Sequence, residues 1–287
     1  MTTATPSTNS TQTHSNTTRP TAIRTDLQPY SDEQTATITA DFHRDGYRVI
    51  KNMLEPAEVA ALKNAVDRFF VDPRMTTTVN HYGDWIGVRL FEFDPLFEDL
   101  LTREPIITLA EHFLGHDCHI MANNVVRNFS GTALDTFHVD DVLICPLPDE
   151  IPRFDPRMTM PLHVVTVQIP LTDMDTIEKG PTQFVPGSHY SGRQPNDTKA
   201  PTFEGRGPDT ILCKAGDVYL HNGQCWHRGA PNTSDQPRYL LQLSYSRRWV
   251  SQRFFPFVNY EIPPRVLARA DDRRKRVLGF HAKGPYG

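Results

Sequence analysis

The sequence predicts a mainly β domain of the jelly-roll or barrel kind, flanked by helices. Three observations carry that expectation. Helical periodicity is confined to the segments before about residue 115 and to the C-terminal end; from Ile120 to about Trp249 the chain breaks into short runs of Val, Ile, Thr and Leu between turn clusters. His138 and Asp140 flank Val139 in an H-x-D triplet, and a third potential ligand, His227, follows 89 positions later (227 − 138). A fold that returns distant extended segments to one place, as a barrel or sandwich does, is needed to unite them. Finally, 287 residues with 38% hydrophobic content can bury the core of one such domain.

Residues 1–30 are rich in Thr, Ser, Asn, Gln and Pro and almost empty of apolar residues, so they read as a disordered extension ahead of a single domain over 31–287. Order is expected from Ser31, whose Ser-x-x-Gln spacing to Gln34 resembles a capping box; the helix it opens runs toward Arg44 and stops at Gly46. Tyr47 to Asn52 reads as a strand. Glu55 to Phe70 follows as an amphipathic helix with Val59, Leu62, Val66 and Phe69 on its core side. Pro105 to Leu114 is a further helix that Gly115 ends.

The β-rich core is expected over about 118–250. Ile120 to Phe129 carries Asn123 and Arg127 at even separation, which lets both face one cavity while Val126 faces the core. Leu162 to Leu171 is a second strand, with Thr166 and Gln168 on a shared face as hydrogen-bonding groups for a ligand. Between them, the proline- and charge-rich stretch Cys145 to Pro161 reads as a long loop, a lid beside the site. Gly180 to His189 reads as a turn, a short strand and a second turn. Gly216-Asp217 leads into the strand Val218-Tyr219-Leu220, and Arg238 to Ser246 is an alternating strand with Leu241, Leu243 and Tyr245 on one side. A C-terminal helix carries Arg273-Arg274-Lys275-Arg276 on a solvated face.

Two imidazoles and one carboxylate are the ligand set that holds non-haem Fe(II) on one face and leaves the other open to oxygen. Residues i and i+2 of an extended segment project to one side, so His138 and Asp140 can reach one ion while Asp141 points away. Arg238, 11 positions after His227 (238 − 227), supplies a guanidinium able to grip a carboxylate bidentately. His189 reads as a structural or pocket-lining residue. His116, Cys118 and His119 lack a second ligand pair at zinc-finger spacing.

Composition removes other classes. A formal net charge of −4 asks for neither nucleic acid nor an anionic membrane surface. Cys118, Cys145, Cys213 and Cys225 show no C-x-x-C spacing and no signal-peptide core precedes them, so reduced thiols in the cytoplasm are expected. No apolar run approaches a membrane span.

From about Asp32 onward the chain resembles the phytanoyl-CoA dioxygenase-like family of Fe(II)/2-oxoglutarate oxygenases. The resemblance is carried by the early helix with Gly46-Tyr47, His138-x-Asp140, Pro186-Gly187-Ser188-His189, Gly216-Asp217, His227 and Arg238, in that order. It implies a double-stranded β-helix core, iron held by His138, Asp140 and His227, and Arg238 on the distal carboxylate of 2-oxoglutarate. Asn123, Thr166 and Gln168 are the residues nominated for further cosubstrate contacts. Retention of Asp140 disfavours halogenation, since halogenating members have a small residue there. Lys179-Gly180 stands where the family commonly has Asn-Gly, a difference in a turn.

The expected activity is therefore O2- and 2-oxoglutarate-dependent oxidation, by hydroxylation, of a small metabolite or natural-product intermediate, with succinate and carbon dioxide released. Desaturation, cyclisation or epimerisation by the same chemistry is the alternative, as is a cupin-type metal protein that does not use 2-oxoglutarate. Arg127, Phe137 and Trp226 are the substrate candidates, with Arg89, Phe91 and Arg248 behind them. A fatty acyl-CoA role is less attractive, because the chain ends Gly284-Pro285-Tyr286-Gly287 without a peroxisomal signal. A monomer or homodimer is expected.

Overall fold

Ser31 caps the first helix as its spacing to Gln34 predicts: its side chain accepts from the Gln34 backbone N–H, and the Gln34 side chain accepts from the Ser31 N–H. A computed structural model describes residues 23–132, 135–140, 142–254 and 260–283. Helix α1 (Asp32–Asp45) ends on Gly46 in the left-handed conformation and feeds strand β1 (Tyr47–Ile50). Helix α2 (Pro56–Val71) buries Val59, Leu62, Val66 and Phe69, the predicted face. Strands β2 (Thr77–Val79) and β3 (Trp85–Val88) and helix α3 (Pro95–Leu101) follow, three elements that the sequence pattern did not reveal. Helix α4 (Ile106–Leu114) precedes the β-rich part.

That part comprises β4 (His119–Asn128), β5 (Val164–Pro170), β6 (Thr182–Phe184), β7 (Asp209–Thr210), β8 (Val218–Asn222), β9 (His227–Gly229) and β10 (Arg238–Ser246). Two short helices, α5 (Pro264–Leu267) and α6 (Asp272–Val277), come last. Seven strands form one antiparallel sheet in the order β1-β8-β5-β10-β4-β3-β2, and three form a second in the order β7-β6-β9. The non-sequential neighbours are those of a jelly roll, with the chain crossing repeatedly between sheets. A backbone bridge between His138 and His227 extends the small sheet beyond β9.

The large sheet has two unlike faces because its strands alternate. Val165, Val167 and Ile169 of β5 and Leu241, Leu243 and Tyr245 of β10 join the α2 and α4 side chains in the main core. The intervening residues Val164, Thr166, Gln168, Leu240, Gln242 and Ser244 line a cavity. Opposite the end of β10, β4 carries an irregularity: Ser244 pairs with Ala122 but Tyr245 with Ile120. The extra residue, Met121, joins Ala122 on the cavity wall.

Two expectations need correction here, and a third is not tested. The extension predicted over 1–30 lies outside the described residues only as far as residue 22; Ile23 is buried in the core, and the Arg24 backbone donates to Glu58 at 2.9 Å. One buried isoleucine in a polar stretch supplies too little pattern to be seen. The basic run of α6 is not a solvated face: Arg273 pairs with Glu104 and Glu111, Arg274 with Asp99, and Arg276 with Glu111. Its partners come from remote helices, which local sequence does not display. The expected position of Asp141 lies outside the described residues.

Glu58 and Arg103 form a buried ion pair that ties the N-terminal segment to the helices. Glu58 accepts from Arg103 at 3.2 and 3.1 Å and from the backbone N–H groups of Arg24 and Glu55, while Arg103 also donates to the Met53 carbonyl at 2.6 Å.

Candidate active site

The strands that position the site are held by turns whose side chains reach across the fold. Gly216 has φ +91° and leaves no room for a side chain, since an added Cβ would come within 2.6 Å of the Leu54 carbonyl oxygen. Asp217 then accepts from the Asn52 and Lys214 N–H groups and from Lys51, fixing the start of β8 against the end of β1. In the Pro186-Gly187-Ser188-His189 turn, Ser188 Oγ accepts the Trp226 N–H at 2.7 Å, and His189 Nε2 donates to the His43 carbonyl at 3.0 Å. This turn therefore sets the approach to His227 and ties it to α1. His189 is structural.

The resulting geometry unites the triplet with its distant partner. Ligand atoms of His138, Asp140 and His227 lie within 4.8 Å of one another, the one such group of three among the described residues. His138 and His227 exchange backbone hydrogen bonds at 3.0 Å, and the Asp140 N–H donates to the Gly223 carbonyl at 2.7 Å. An added Cβ on Gly223 would lie 3.1 Å from that of Asp140, so glycine lets the carboxylate approach.

Protonation is also arranged for ligation. His138 Nδ1 donates to the Thr136 carbonyl and His227 Nδ1 to the Cys225 carbonyl, each at 2.9 Å, because a carbonyl can only accept. Both Nε2 atoms are thereby left to face the site, the orientation that metal-ligating histidines use. Burial and the neighbouring His227 hold the His138 pKa below its ordinary value, favouring the neutral, ligating form. Burial acts to raise the Asp140 pKa and to lower that of His227, but the two groups, 3.6 Å apart, outweigh it: the carboxylate stays ionised and the His227 pKa is raised, so a metal binds here in exchange for any proton on His227 Nε2. The donor set and its tautomers fit a divalent metal with an open face.

Arg238, at the start of β10, is buried and faces the same cavity of about 1290 Å³. Its Nε donates to Asn128 Oδ1 at 2.7 Å and its Nη1 to the Gly180 carbonyl. No carboxylate of a described residue pairs with it. Burial lowers its pKa from the ordinary arginine value, though an arginine stays charged. Asp84, buried on the same cavity wall, acts on it only beyond ion-pair contact, so an anion from a ligand can complete the guanidinium's pairing.

Other nominated residues divide by strand phase. Thr166 and Gln168 line the cavity, Thr166 within 3.1 Å of Ser244 Oγ and Gln168 within 3.4 Å of His221 Nε2. Asn123 does not: it is buried on the opposite face and its side chain accepts from the Phe91 N–H at 2.9 Å. Arg127 shares that face, its guanidinium lying over the rings of Trp85, Phe129 and Tyr239. Val125 enters the core and Val126 lines the cavity, the reverse of the expected phase. Two successive valines leave the phase of a strand open, and tertiary pairing decides it.

The remaining substrate candidates also lie elsewhere. Phe137 and Trp226 pack with Val139, Met160, Val185, Tyr190 and Phe203 in a cluster behind the triad. Phe91 is in the main core, Arg89 pairs with Glu92, and Arg248 donates to the Ala282 carbonyl. The 145–161 segment is irregular as expected and is bound to the turn after β6: Arg193 donates to the carbonyls of Pro148, Ile151 and Pro152. Residues that sequence reasoning missed are Asn124, Asn128 and Gln242 on the cavity wall and His221 beside His227. Asn128 would have been found from its pairing with Arg238, which only the sheet register shows.

Comparison with known proteins adds four findings. The family described as Phytanoyl-CoA dioxygenase (PhyH) matches residues 42–240. The uncharacterised protein Rv1501 of Mycobacterium tuberculosis is 23% identical over 247 residues, covering 83% of this chain and 84% of that protein. The epimerase SnoN from nogalamycin biosynthesis, solved with Fe3+, alpha-ketoglutarate and nogalamycin RO, superposes with a TM-score of 0.60 at 20% identity, over 82% of this chain and 92% of the other. The carbocyclase SnoK of the same biosynthesis gives a TM-score of 0.59 at 21% identity, over 81% and 91%.

Proposed function

The chain belongs to the phytanoyl-CoA dioxygenase family and is a non-haem iron, 2-oxoglutarate-dependent enzyme; on that premise we propose that it hydroxylates a small-molecule metabolite or natural-product intermediate. In this proposal His138, Asp140 and His227 hold the iron, Arg238 holds the far carboxylate of 2-oxoglutarate, and Thr166 and Gln168 flank the cosubstrate. The observation that carries it is the buried Arg238 guanidinium, without a protein carboxylate, opening on the same cavity as a three-donor metal cluster.

With iron bound, the centre would couple the four-electron reduction of O2 to two oxidations, that of 2-oxoglutarate to succinate and carbon dioxide and the two-electron oxidation of the substrate. The chain's own residues orient and exclude. The carbonyls of Thr136 and Cys225 fix both imidazoles, the Gly223 carbonyl fixes the Asp140 backbone, and Asn128 and the Gly180 carbonyl aim the guanidinium. No side chain needs to act as a general base.

Among the fold neighbours are an epimerase and a carbocyclase. They favour a second reading, in which the same site carries out epimerisation, cyclisation or desaturation. The reading extends to a small-molecule partner rather than nucleic acid, a cytoplasmic location and a monomer or homodimer; the free cysteines support a reducing compartment. The test is a screen of candidate substrates for succinate release coupled to substrate loss, with product mass separating hydroxylation from the rest. Absence of 2-oxoglutarate binding by anaerobic calorimetry with Mn(II) would overturn the assignment.

A further inference from the structure

We propose that the cavity beyond the metal triad is a stacking site for a flat ring system without positive charge, and that Trp249 is the residue that selects it. The inference rests on the iron and 2-oxoglutarate reading only for which end of the cavity the cosubstrate takes. At about 1290 Å³ the cavity exceeds what a five-carbon diacid occupies, and pockets for drug-sized ligands run to roughly 300–1,000 Å³. Room for a sizeable second molecule remains.

Position along β10 divides the space. Arg238 opens the strand, and Trp249 lies three residues past its end at Ser246; nine residues of strand span roughly 27 Å at about 3.3 Å each. Between them lies the level of the triad: His221, 4.8 Å ring to ring from His227, pairs with Thr166, which pairs with Ser244. The Trp249 end is thus on the far side of the triad from the anion anchor.

The chemistry of that end is consistent. Trp249 lines the cavity yet is 68% exposed, with its ring edge-on to His163 at 4.8 Å and 84°, so the indole is braced while much of it is uncovered. Val142 and Ile144, 70% and 42% exposed, also line the cavity and add apolar surface to its mouth. Exposed apolar side chains converging on a cavity mark a ligand surface. Asn124 and Gln242, which face each other across β4 and β10 without a hydrogen-bond partner among the described residues, sit level with Gln168 on the Arg238 side of Ser244 and so belong to the cosubstrate end. The cavity's carboxylates among the described residues are Asp140, in the triad, and Asp84, held by Asn80 on the β3 side. Nothing at the Trp249 end complements a polycation.

The test uses the full chain loaded anaerobically with Mn(II) and 2-oxoglutarate, with anthracen-9-ylmethanol as a neutral fluorescent probe read by anisotropy. Saturable binding is expected, about tenfold weaker in Trp249→Ala and close to wild type in Trp249→Phe; kanamycin, a polycationic amino sugar, should not displace the probe. No probe binding, unchanged affinity in Trp249→Ala, or displacement by kanamycin would overturn the proposal. Calorimetry of 2-oxoglutarate on the same samples separates the two readings. Trp249-dependent probe binding without 2-oxoglutarate binding defeats the cosubstrate assignment alone, and the converse defeats the stacking site alone.

Discussion

Asn128 and Arg238 face each other across β4 and β10, and the Asn128 side-chain oxygen accepts the Arg238 Nε–H at 2.7 Å. The contact turns the guanidinium so that its outer edge faces the cavity, and it does so with a neutral acceptor. A carboxylate at position 128 would hold the arginine more strongly and also neutralise it. The amide orients the charge and leaves it for a ligand.

Arg238→Ala is therefore expected to retain metal and lose most 2-oxoglutarate affinity, whereas Asn128→Ala keeps the charge but loses its aim. For Asn128→Ala a weakening of about 10- to 100-fold is expected, the size of one charged hydrogen bond of about 1.5–3 kcal/mol. Anaerobic calorimetry with Mn(II) measures both. Equal affinity of wild type and Arg238→Ala would show that the anchor is elsewhere.

Metal retention tests the triad itself. His138→Ala should abolish stoichiometric metal binding and succinate release. Gly223→Ala is the subtler variant, since its new Cβ must displace Asp140; about 10- to 100-fold weaker metal binding is expected, the scale of perturbing a ligand's support. Metal titration reads both, with circular dichroism to confirm that the fold persists. Full-strength binding in Gly223→Ala would mean that Asp140 is not confined by this contact.

The buried Glu58–Arg103 pair predicts an acid-sensitive contribution to stability. Burial acts to raise the Glu58 pKa, but Arg103 and two backbone N–H groups outweigh it, so the folded value lies below the ordinary 4.5. A depressed carboxylate pKa contributes stability that is present above the unfolded value and lost as pH falls through the folded one. Glu58→Gln should lose roughly 3–5 kcal/mol near neutral pH by leaving Arg103 uncompensated, with a flatter stability profile below the ordinary carboxylate pKa. Chemical denaturation across pH checks the sign; a variant that tracks the wild-type slope refutes it.

Ser188→Ala removes the acceptor of the buried Trp226 N–H. A destabilisation of about 1–3 kcal/mol is expected, along with looser metal binding because this turn sets the approach to His227. Calorimetric melting measures the first and metal titration the second. Ser188→Thr, which restores the hydroxyl, should recover part of both.

Legibility in the sequence followed the range of each interaction. The Ser31–Gln34 capping box, the buried face of α2 and the alternation of β10 are local periodic patterns, and each is present as read. Strands β2 and β3 escaped notice because they are three and four residues long, too short for a period to emerge. Within β4 the alternation is visible in the sequence but its phase is not, and the cavity face belongs to Asn124 and Asn128 rather than to Asn123 and Arg127. Bulk misled at Phe137 and Trp226, since an aromatic beside a ligand in sequence is as readily packed behind the site as placed within it.

The sequence by itself determined the donor types, their order along the chain, and the β-rich architecture that must join them. Tertiary structure decided which polar residues share the cavity, that Arg238 is buried without a protein carboxylate, and that Trp249 stands at the mouth. The division is physical: periodicity and ligand chemistry are properties of a few neighbouring residues. Facing, burial and counter-charge depend on strand register and on partners remote in sequence, 110 positions apart for Asn128 and Arg238, and those exist only once the sheets have closed.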